Sequence, residues 1–391
     1  MATPQTQSIT GTNPLRSRAL VHLGADKPLE EWIVDLEPPR RDEVLVTIVA
    51  SGVCHSDLHA RRGEWGITEP TVLGHEGAGI VERVGDGVTT LKPGDHVVLS
   101  WVAPCRRCRQ CQVGRGWACT QQRTEEHLLA DGTTRLSKDG KPIRQMLGLG
   151  TFSERVVVPE SAAVRVSNDL PFDVGALIGC GVATGAGAVF NNARVQPGYS
   201  VAVLGCGGVG LSVVMAAAAA GAHPIIAVDL EFHRLQLAWQ LGATHTVSSG
   251  QDTARVARAV RAAADGRRVE YVFDAVGRPE TLDLMTEVLV AGGTGVVVGI
   301  GSSTPRVQID PISGHRIIGC NYGASVPEVD FPRLEALYLA GRLPIDSLVT
   351  HRIALDGVEE ALGAMERRER ARSIIEFAGN HIPPSDEAYL P

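Results

Sequence analysis

Between Ser200 and Asp229 the chain runs SVAVL, then Gly205-x-Gly207-x-x-Gly210, then a run of small apolar residues, then Ile225 to Val228 closing on an acid. A strand that turns through three spaced glycines into a helix, with an acid ending the next strand, fits a dinucleotide-binding α/β sheet and few other folds. Gly205 permits the tight turn, Gly207 lets backbone approach a pyrophosphate, and Gly210 allows close packing of helix on strand. The helix N-terminus offers unpaired N–H groups and partial positive charge to phosphate. Asp229 suits hydrogen bonds from both ribose hydroxyls and would repel a 2′-phosphate, which favours NAD over NADP.

The rhythm continues on both sides of this motif. Strand 201–204, helix 208–220, strand 225–228, helix 232–241 and strands near 271–273 and 296–298 predict a doubly wound parallel sheet covered on both faces. Residues 40–100 read instead as short Val- and Gly-rich strands of a β-rich domain, a small barrel or sandwich. Strand-like residues return at 152–158, and a helix over 332–341 and short strands ending at Phe377 follow. The predicted layout is a tail over 1–18, a β-rich domain over 19–184, an α/β domain over 185–322, and a segment over 323–391 that returns to the first domain and ends in a tail of about twelve residues.

A formal net charge of -7 over 391 residues, with no basic stripe, argues against a nucleic-acid partner. Arg367, Arg368, Arg370 and Arg372, interleaved with Glu366 and Glu369, read mostly as a solvated helix end. The N-terminal twenty residues have no apolar core of a secretory signal, and Val213–Ala222 is too short to span a bilayer. A reducing cytoplasm is the expected compartment, with no membrane partner.

Four of the eight cysteines, Cys105, Cys108, Cys111 and Cys119, fall in C-x2-C-x2-C-x7-C. Four thiolates at this spacing can close a tetrahedral structural zinc site; a pair of disulfides is the alternative. Three other segments carry ligand chemistry: Cys54-His55-Ser56-Asp57-Leu58-His59, Gly74-His75-Glu76 and Gly179-Cys180-Gly181. Two cysteines and a histidine would leave a fourth zinc position open for water or substrate, although the separation of Cys54 from Cys180 leaves the trio undecided on spacing alone. Cys206 and Cys320 read as core or cofactor-lining residues.

The order C-H-S-D-x-x-H, G-H-E-G-A-G, four-cysteine lobe, G-C-G-x-x-T-G, G-x-G-G-V-G resembles the zinc-dependent medium-chain alcohol dehydrogenases over residues 19–378. The segment 131–143 is similar to the longer, class III or formaldehyde-oxidising branch. The resemblance implies a GroES-like catalytic domain interrupted by a Rossmann domain. It also implies two zinc ions per subunit, NAD, and a homodimer or homotetramer joined near residues 306–312. Cys54, His75 and Cys180 match the catalytic zinc ligands, and Cys105, Cys108, Cys111 and Cys119 the structural ones. Glu76 matches a carboxylate behind the metal, and Asp57 an acid that orients the zinc-bound histidine. His55, Thr184, Gly208, Val209, Arg234, Arg278 and Arg372 match cofactor contacts, with capping or surface roles as the alternative for several.

The implied reaction passes hydride from a zinc-polarised alcohol to the nicotinamide, with Ser56 and His59 relaying the proton to solvent. Trp65, Trp101, Met146, Leu147, Ile300 and Asn321 are the candidate substrate pocket, the tryptophans suiting a primary or aryl alcohol or else belonging to the core. Arg123 resembles an arginine that thiol-dependent formaldehyde dehydrogenases use to hold a carboxylate. Trp65 and His59, however, stand where that branch tends to carry an acid and a tyrosine. Three substrate readings follow: a primary-alcohol and aldehyde dehydrogenase, a dehydrogenase of S-hydroxymethyl-thiols, and a nicotinoprotein with permanently bound NAD.

Overall fold

A computed structural model describes residues 15–377 except 26, 251, 302–305 and 370. The two predicted tails therefore lie outside the described residues, apart from 15–18, and so does Arg370. Residues 15–18 are not tail. Leu15–His22 is a strand whose first residue already pairs with Leu36, because Leu20 and Val21 need a sheet partner to bury them.

The N-terminal β-structure divides into two sheets. A closed barrel joins Leu15–His22, Glu30–Leu36, Leu136–Lys138, Lys141–Gln145 and Thr71–Val72. Its Leu136–Gln145 hairpin turns at Asp139-Gly140, both at positive φ (51° and 73°), the turn geometry that Asp-Gly favours. The second sheet runs Ala163–Arg165, His96–Leu99, Glu76–Val84, Glu43–Val53, Ser373–Glu376, His351–Ile353, with Arg155–Pro159 also paired to Glu43–Val53. Ser373–Glu376 pairs antiparallel with Glu43–Val53, so the chain end is woven into the N-terminal sheet.

The α/β unit holds six parallel strands in the order His245–Ser248, Ile225–Asp229, Val201–Leu204, Val269–Asp274, Leu289–Val297, Arg316–Gly319. The order reverses between Val201–Leu204 and Val269–Asp274, which opens a crevice at their C-terminal ends. Helices Thr253–Ala263 and Pro279–Val288, not predicted from sequence, complete the covering layers. Gly208–Ala219 is buried on nearly every side, which its small apolar sequence allows.

A 22-residue helical run, Phe172–Ala193, connects the two units, and the predicted boundary at 184/185 falls inside it. The run is long and apolar enough to cross a membrane, but its apolar window is 78% buried within the fold. It widens to π-helix over Ile178–Val182 and again over Ala188–Ala193, an irregularity concentrated at functional sites.

One charged group is buried in the barrel wall. The Arg135 side chain, 1% exposed, donates to Glu43 at 2.5 and 3.0 Å, to Asp131 at 2.7 Å and to Thr133 at 2.5 Å. It ties the 131–143 segment to the start of the central strand. Removing one partner of a buried pair strands the other charge. Arg135→Ala should therefore cost about 3–5 kcal/mol in denaturant unfolding. A change below about 1 kcal/mol would refute the clamp.

His127 is buried at a left-handed residue (φ 59°), and its Nδ1 accepts the Leu147 N–H at 3.2 Å. Burial, helped by Arg144, pushes its pKa down to about 4. The folded state keeps this ring neutral while the unfolded chain protonates below about 6.5. His127 therefore subtracts stability as pH falls from about 6.5 to about 4. His127→Asn, which tolerates the left-handed backbone, should flatten the fall in thermal midpoint across that window; an unchanged slope would refute it.

Candidate active site and metal centres

The buried site begins at helix His55–Arg61, whose N-cap is Cys54. Asp57 in the first turn is fully buried and reaches back: one carboxylate oxygen accepts the Cys54 N–H at 2.8 Å. The other faces His75 Nδ1 at 3.2 Å and the Gly74 N–H at 3.2 Å. One carboxylate thus fixes two separate segments. The hydrogen bond to Nδ1 leaves His75 Nε2 to point elsewhere, and that nitrogen is buried with no hydrogen-bond partner.

Ligand atoms of Cys54, His75, Glu76 and Cys180 all lie within 4.8 Å of one another. Cys180 arrives from the π-helical turn of the linking run. A hydrogen bond from the Cys180 thiol, against the effect of burial, and then His75, hold the Cys54 thiol well below its usual pKa; the same contact raises Cys180. Burial opposes charge on His75, but Asp57 and Cys54 outweigh it and raise the ring to about 10. Two sulfurs and an orphaned imidazole nitrogen, with the Glu76 carboxylate close by, make a donor set that fits a divalent, sulfur-tolerant cation such as zinc.

Glu76 is engaged by two further partners. It accepts the Gly181 N–H at 3.2 Å and forms a short ion pair with Arg372, whose side chain is 5% exposed. The Arg372 stem lies against the glycine loop: a Cβ added at Gly208 would sit 2.6 Å from its Cδ. Arg372, expected as a cofactor contact, therefore also bridges the metal region to the dinucleotide loop, and its Nε is buried without a partner.

In that loop Gly205 has φ 89°, and a Cβ at Gly210 would come within 1.8 Å of the Gly205 carbonyl. Asp229, at the C-terminal end of its strand, accepts the Cys206 N–H at 2.6 Å and the Glu231 N–H at 2.8 Å, so it shapes the loop. Val209 packs on the linking helix, where its carbonyl leaves no space for a Cβ at Gly185. Arg234 donates weakly to the Arg368 carbonyl at 3.5 Å, with its Nε buried and unpartnered. Arg278 caps helix Pro279–Val288 and is exposed, as is His55. Thr184 lies one turn beyond Cys180 on the same run. Gly207 is the N-cap of helix Gly208–Ala219.

Ser56 Oγ lies 3.9 Å from Cys54 Sγ. His59 turns Nδ1 to Glu64 at 2.5 Å, a pairing not foreseen from sequence, and its side chain is only 16% exposed. The substrate candidates divide. Trp101 packs on Tyr322 with ring centroids 4.7 Å apart, and Trp65 stacks on His127 at 6.3 Å. Trp101, Leu147 and Arg123 line one cavity of about 100 Å³ that also touches Cys105. Met146 is fully buried in the core, whereas Ile300 and Asn321 are exposed. Arg123 faces Glu126 at 3.6 Å.

All eight cysteines are reduced. In the lobe, Cys105–Cys111, Cys108–Cys111 and Cys108–Cys119 sulfurs are 4.0, 3.5 and 3.9 Å apart. These are far from a disulfide bond and close to the ~3.8 Å edge of a zinc–thiolate tetrahedron. Backbone N–H groups of Cys111 and Thr120 lower the Cys108 thiol to about 5, and the Cys108 N–H points at Cys105 sulfur at 3.3 Å. Burial acts the other way on Cys111, raised to about 12, and on Cys119, so the case for a metal rests on the sulfur spacing.

The chain is similar to known proteins along most of its length. An alcohol dehydrogenase GroES-like domain matches residues 40–168, and a zinc-binding dehydrogenase domain matches 208–339. The chain is 37% identical over 377 residues to an alcohol dehydrogenase class-3 of Cereibacter sphaeroides, covering 93% of this chain and 100% of that one. It is 36% identical over 376 residues to an S-(hydroxymethyl)glutathione dehydrogenase of Paracoccus denitrificans, covering 92% and 100%. The structure of benzyl alcohol dehydrogenase from Acinetobacter calcoaceticus matches with a TM-score of 0.87 at 34% identity, covering 93% and 100%. A zinc-binding domain protein from Burkholderia ambifaria matches at 0.88 and 37%, with the same coverage. With both domains matched in this order and relatives 36–37% identical over their whole length, the chain belongs to the zinc-dependent medium-chain alcohol dehydrogenase family and is an oxidoreductase.

Proposed function

We propose that this enzyme interconverts primary alcohols, aryl-substituted ones among them, with their aldehydes, using exchangeable NAD and two zinc ions per subunit. The observation that carries the reaction is the buried Cys54–His75–Cys180 cluster, with His75 Nε2 left unpartnered. Bound zinc supplies Lewis-acid polarisation of the substrate oxygen, and the nicotinamide supplies the hydride acceptor. The chain's own groups do the rest. Asp57 fixes the tautomer and aim of His75. Ser56 beside Cys54 takes the hydroxyl proton, and His59, held by Glu64, stands at the outer end of the route to solvent. Arg372 and the N-terminus of helix Gly208–Ala219 supply positive charge for a pyrophosphate, and Asp229 favours a ribose without a 2′-phosphate.

Rings at Trp65 and Trp101 support an aromatic-lined channel, and the benzyl alcohol dehydrogenase relative supports the same substrate class. The second reading, oxidation of an S-hydroxymethyl-thiol, draws on the glutathione-linked relative and on Arg123. Engagement of Arg123 by Glu126 and the presence of Trp65 in place of an acid weigh against it. We further assign the enzyme to a reducing compartment and to a dimer or tetramer formed along the Arg316–Gly319 sheet edge. Ile309 and Ile312 are exposed beside that edge.

The deciding assay follows NADH at 340 nm with benzyl alcohol in one arm and formaldehyde premixed with glutathione in the other. Turnover of benzyl alcohol without thiol is expected; turnover of the formaldehyde–thiol mixture alone would reverse the ranking. Removing metal with a chelator, or Cys54→Ala, should lower kcat by at least about a thousandfold while the Cys105–Cys119 lobe retains its own metal. Full turnover by metal-free Cys54→Ala protein would overturn the mechanism.

A further inference from the structure

The last strand of the cofactor sheet, Arg316–Gly319, runs directly into the segment that passes beneath the metal site. Three consecutive residues there are left-handed: Tyr322 (φ 54°), Gly323 (64°) and Ala324 (49°). Such a conformation is unfavourable for a bulky aromatic residue and for alanine, so surrounding contacts must impose it. They are identifiable. A Cβ at Gly323 would lie 2.3 Å from the Ala183 carbonyl and 2.8 Å from Gly187 Cα, so the segment is wedged against the linking helix. Asn191 Nδ2 donates to the Gly323 carbonyl at 3.2 Å, and Ser325 Oγ to the Ala183 carbonyl at 3.3 Å.

What the strain positions is the Tyr322 phenol. The ring is buried, and its hydroxyl donates in a short hydrogen bond to the carbonyl of Gly179, the residue before Cys180. Ser100 Oγ, 3.2 Å away, is a second and weaker acceptor for the phenol proton, because its own proton goes to the Val102 carbonyl. Ser100 Oγ is itself fixed within the Ser100–Val102 turn, 2.9 Å from the Val102 carbonyl and 3.1 Å from its N–H. Gly179 lies in the π-helical turn, where the regular helical hydrogen-bond ladder is interrupted and a carbonyl needs an outside donor. The same ring packs at 58° against Trp101.

We propose that Tyr322 is a positioning residue for the metal centre. Its phenol fixes the backbone on which Cys180 presents sulfur, and its ring sets the face of Trp101 toward substrate. The proposal rests on the functional reading above and extends it: the cofactor domain would reach one metal ligand through this strut.

The test compares wild type, Tyr322→Phe and Ser100→Ala after replacing zinc by cobalt(II). Thiolate-to-cobalt charge-transfer and d–d bands report ligand geometry, which general stabilisation does not alter. Tyr322→Phe is expected to shift these bands and to lower kcat for benzyl alcohol about tenfold, with KM for NAD unchanged within about twofold. Ser100→Ala should move both in the same direction by less. Wild-type bands and wild-type kcat in Tyr322→Phe would overturn the proposal while leaving the functional reading intact. Should Tyr322→Phe fail to fold, Ser100→Ala decides: altered cobalt bands support the strut, and unaltered bands overturn it. Wild-type protein that takes up no cobalt at Cys54, His75 and Cys180 would overturn the functional reading and this proposal together.

Discussion

The site depends first on one buried carboxylate. Asp57 has no contact with water, so its charge is tolerable only with close donors on its oxygens. It has three: the N–H of Cys54, the N–H of Gly74 and Nδ1 of His75. Two of these belong to proposed metal ligands and the third to the residue beside one. The requirement to solvate Asp57 is therefore the same requirement that brings Cys54 and His75 together. Buried pairs contribute less to stability than their Coulomb energy suggests, because desolvation opposes them. Their effect here is specificity: other arrangements of these two segments would leave a bare charge in the core.

Around that carboxylate the two domains meet through polar contacts of long sequence range. Arg372 enters from just before the final strand, pairs with Glu76 behind the metal position, and lays its stem under Gly208 of the dinucleotide loop. Glu76 in turn holds the Gly181 N–H, and Tyr322 holds the Gly179 carbonyl. Cys180 is thus gripped on both sides by groups from different parts of the chain. The π-helical turn makes this possible, since it interrupts the regular ladder and turns Gly179 and Gly181 toward outside partners.

How much of this was legible in the sequence follows from the range of each interaction. The four-cysteine lobe closes within fifteen residues, and the glycine loop within six, so local spacing encodes both. Strand order and the position of the crevice follow from βα alternation, which has a narrow set of topologies. The Tyr322–Gly179 contact spans 143 residues and the Arg372–Glu76 pair 296; no local pattern announces either. Asn321, one of the six expected pocket residues, is exposed, while its neighbour Tyr322 is buried. Helices Thr253–Ala263 and Pro279–Val288 were likewise passed over, although Asp252 as an N-cap and Pro279 at a first turn mark their starts.

The pairing of His59 with Glu64 belongs to a middle range, five residues apart but beyond the end of the helix at Arg61. Arg62 sits between them in sequence and approaches Glu64 at 3.7 Å while also pairing with Glu366 on helix Val358–Glu366. Arg61 pairs with Glu359 on the same helix at 3.0 Å. The helix that carries Cys54, Ser56, Asp57 and His59 is therefore fixed at its N-terminal end by the buried carboxylate and at its C-terminal end by one part-buried and one exposed ion pair. Exposed pairs are individually weak and screened by salt, whereas the Asp57 contacts are not. The Cys54 end of the helix is thus held by contacts that salt does not screen, and the His59 end by ones that it does.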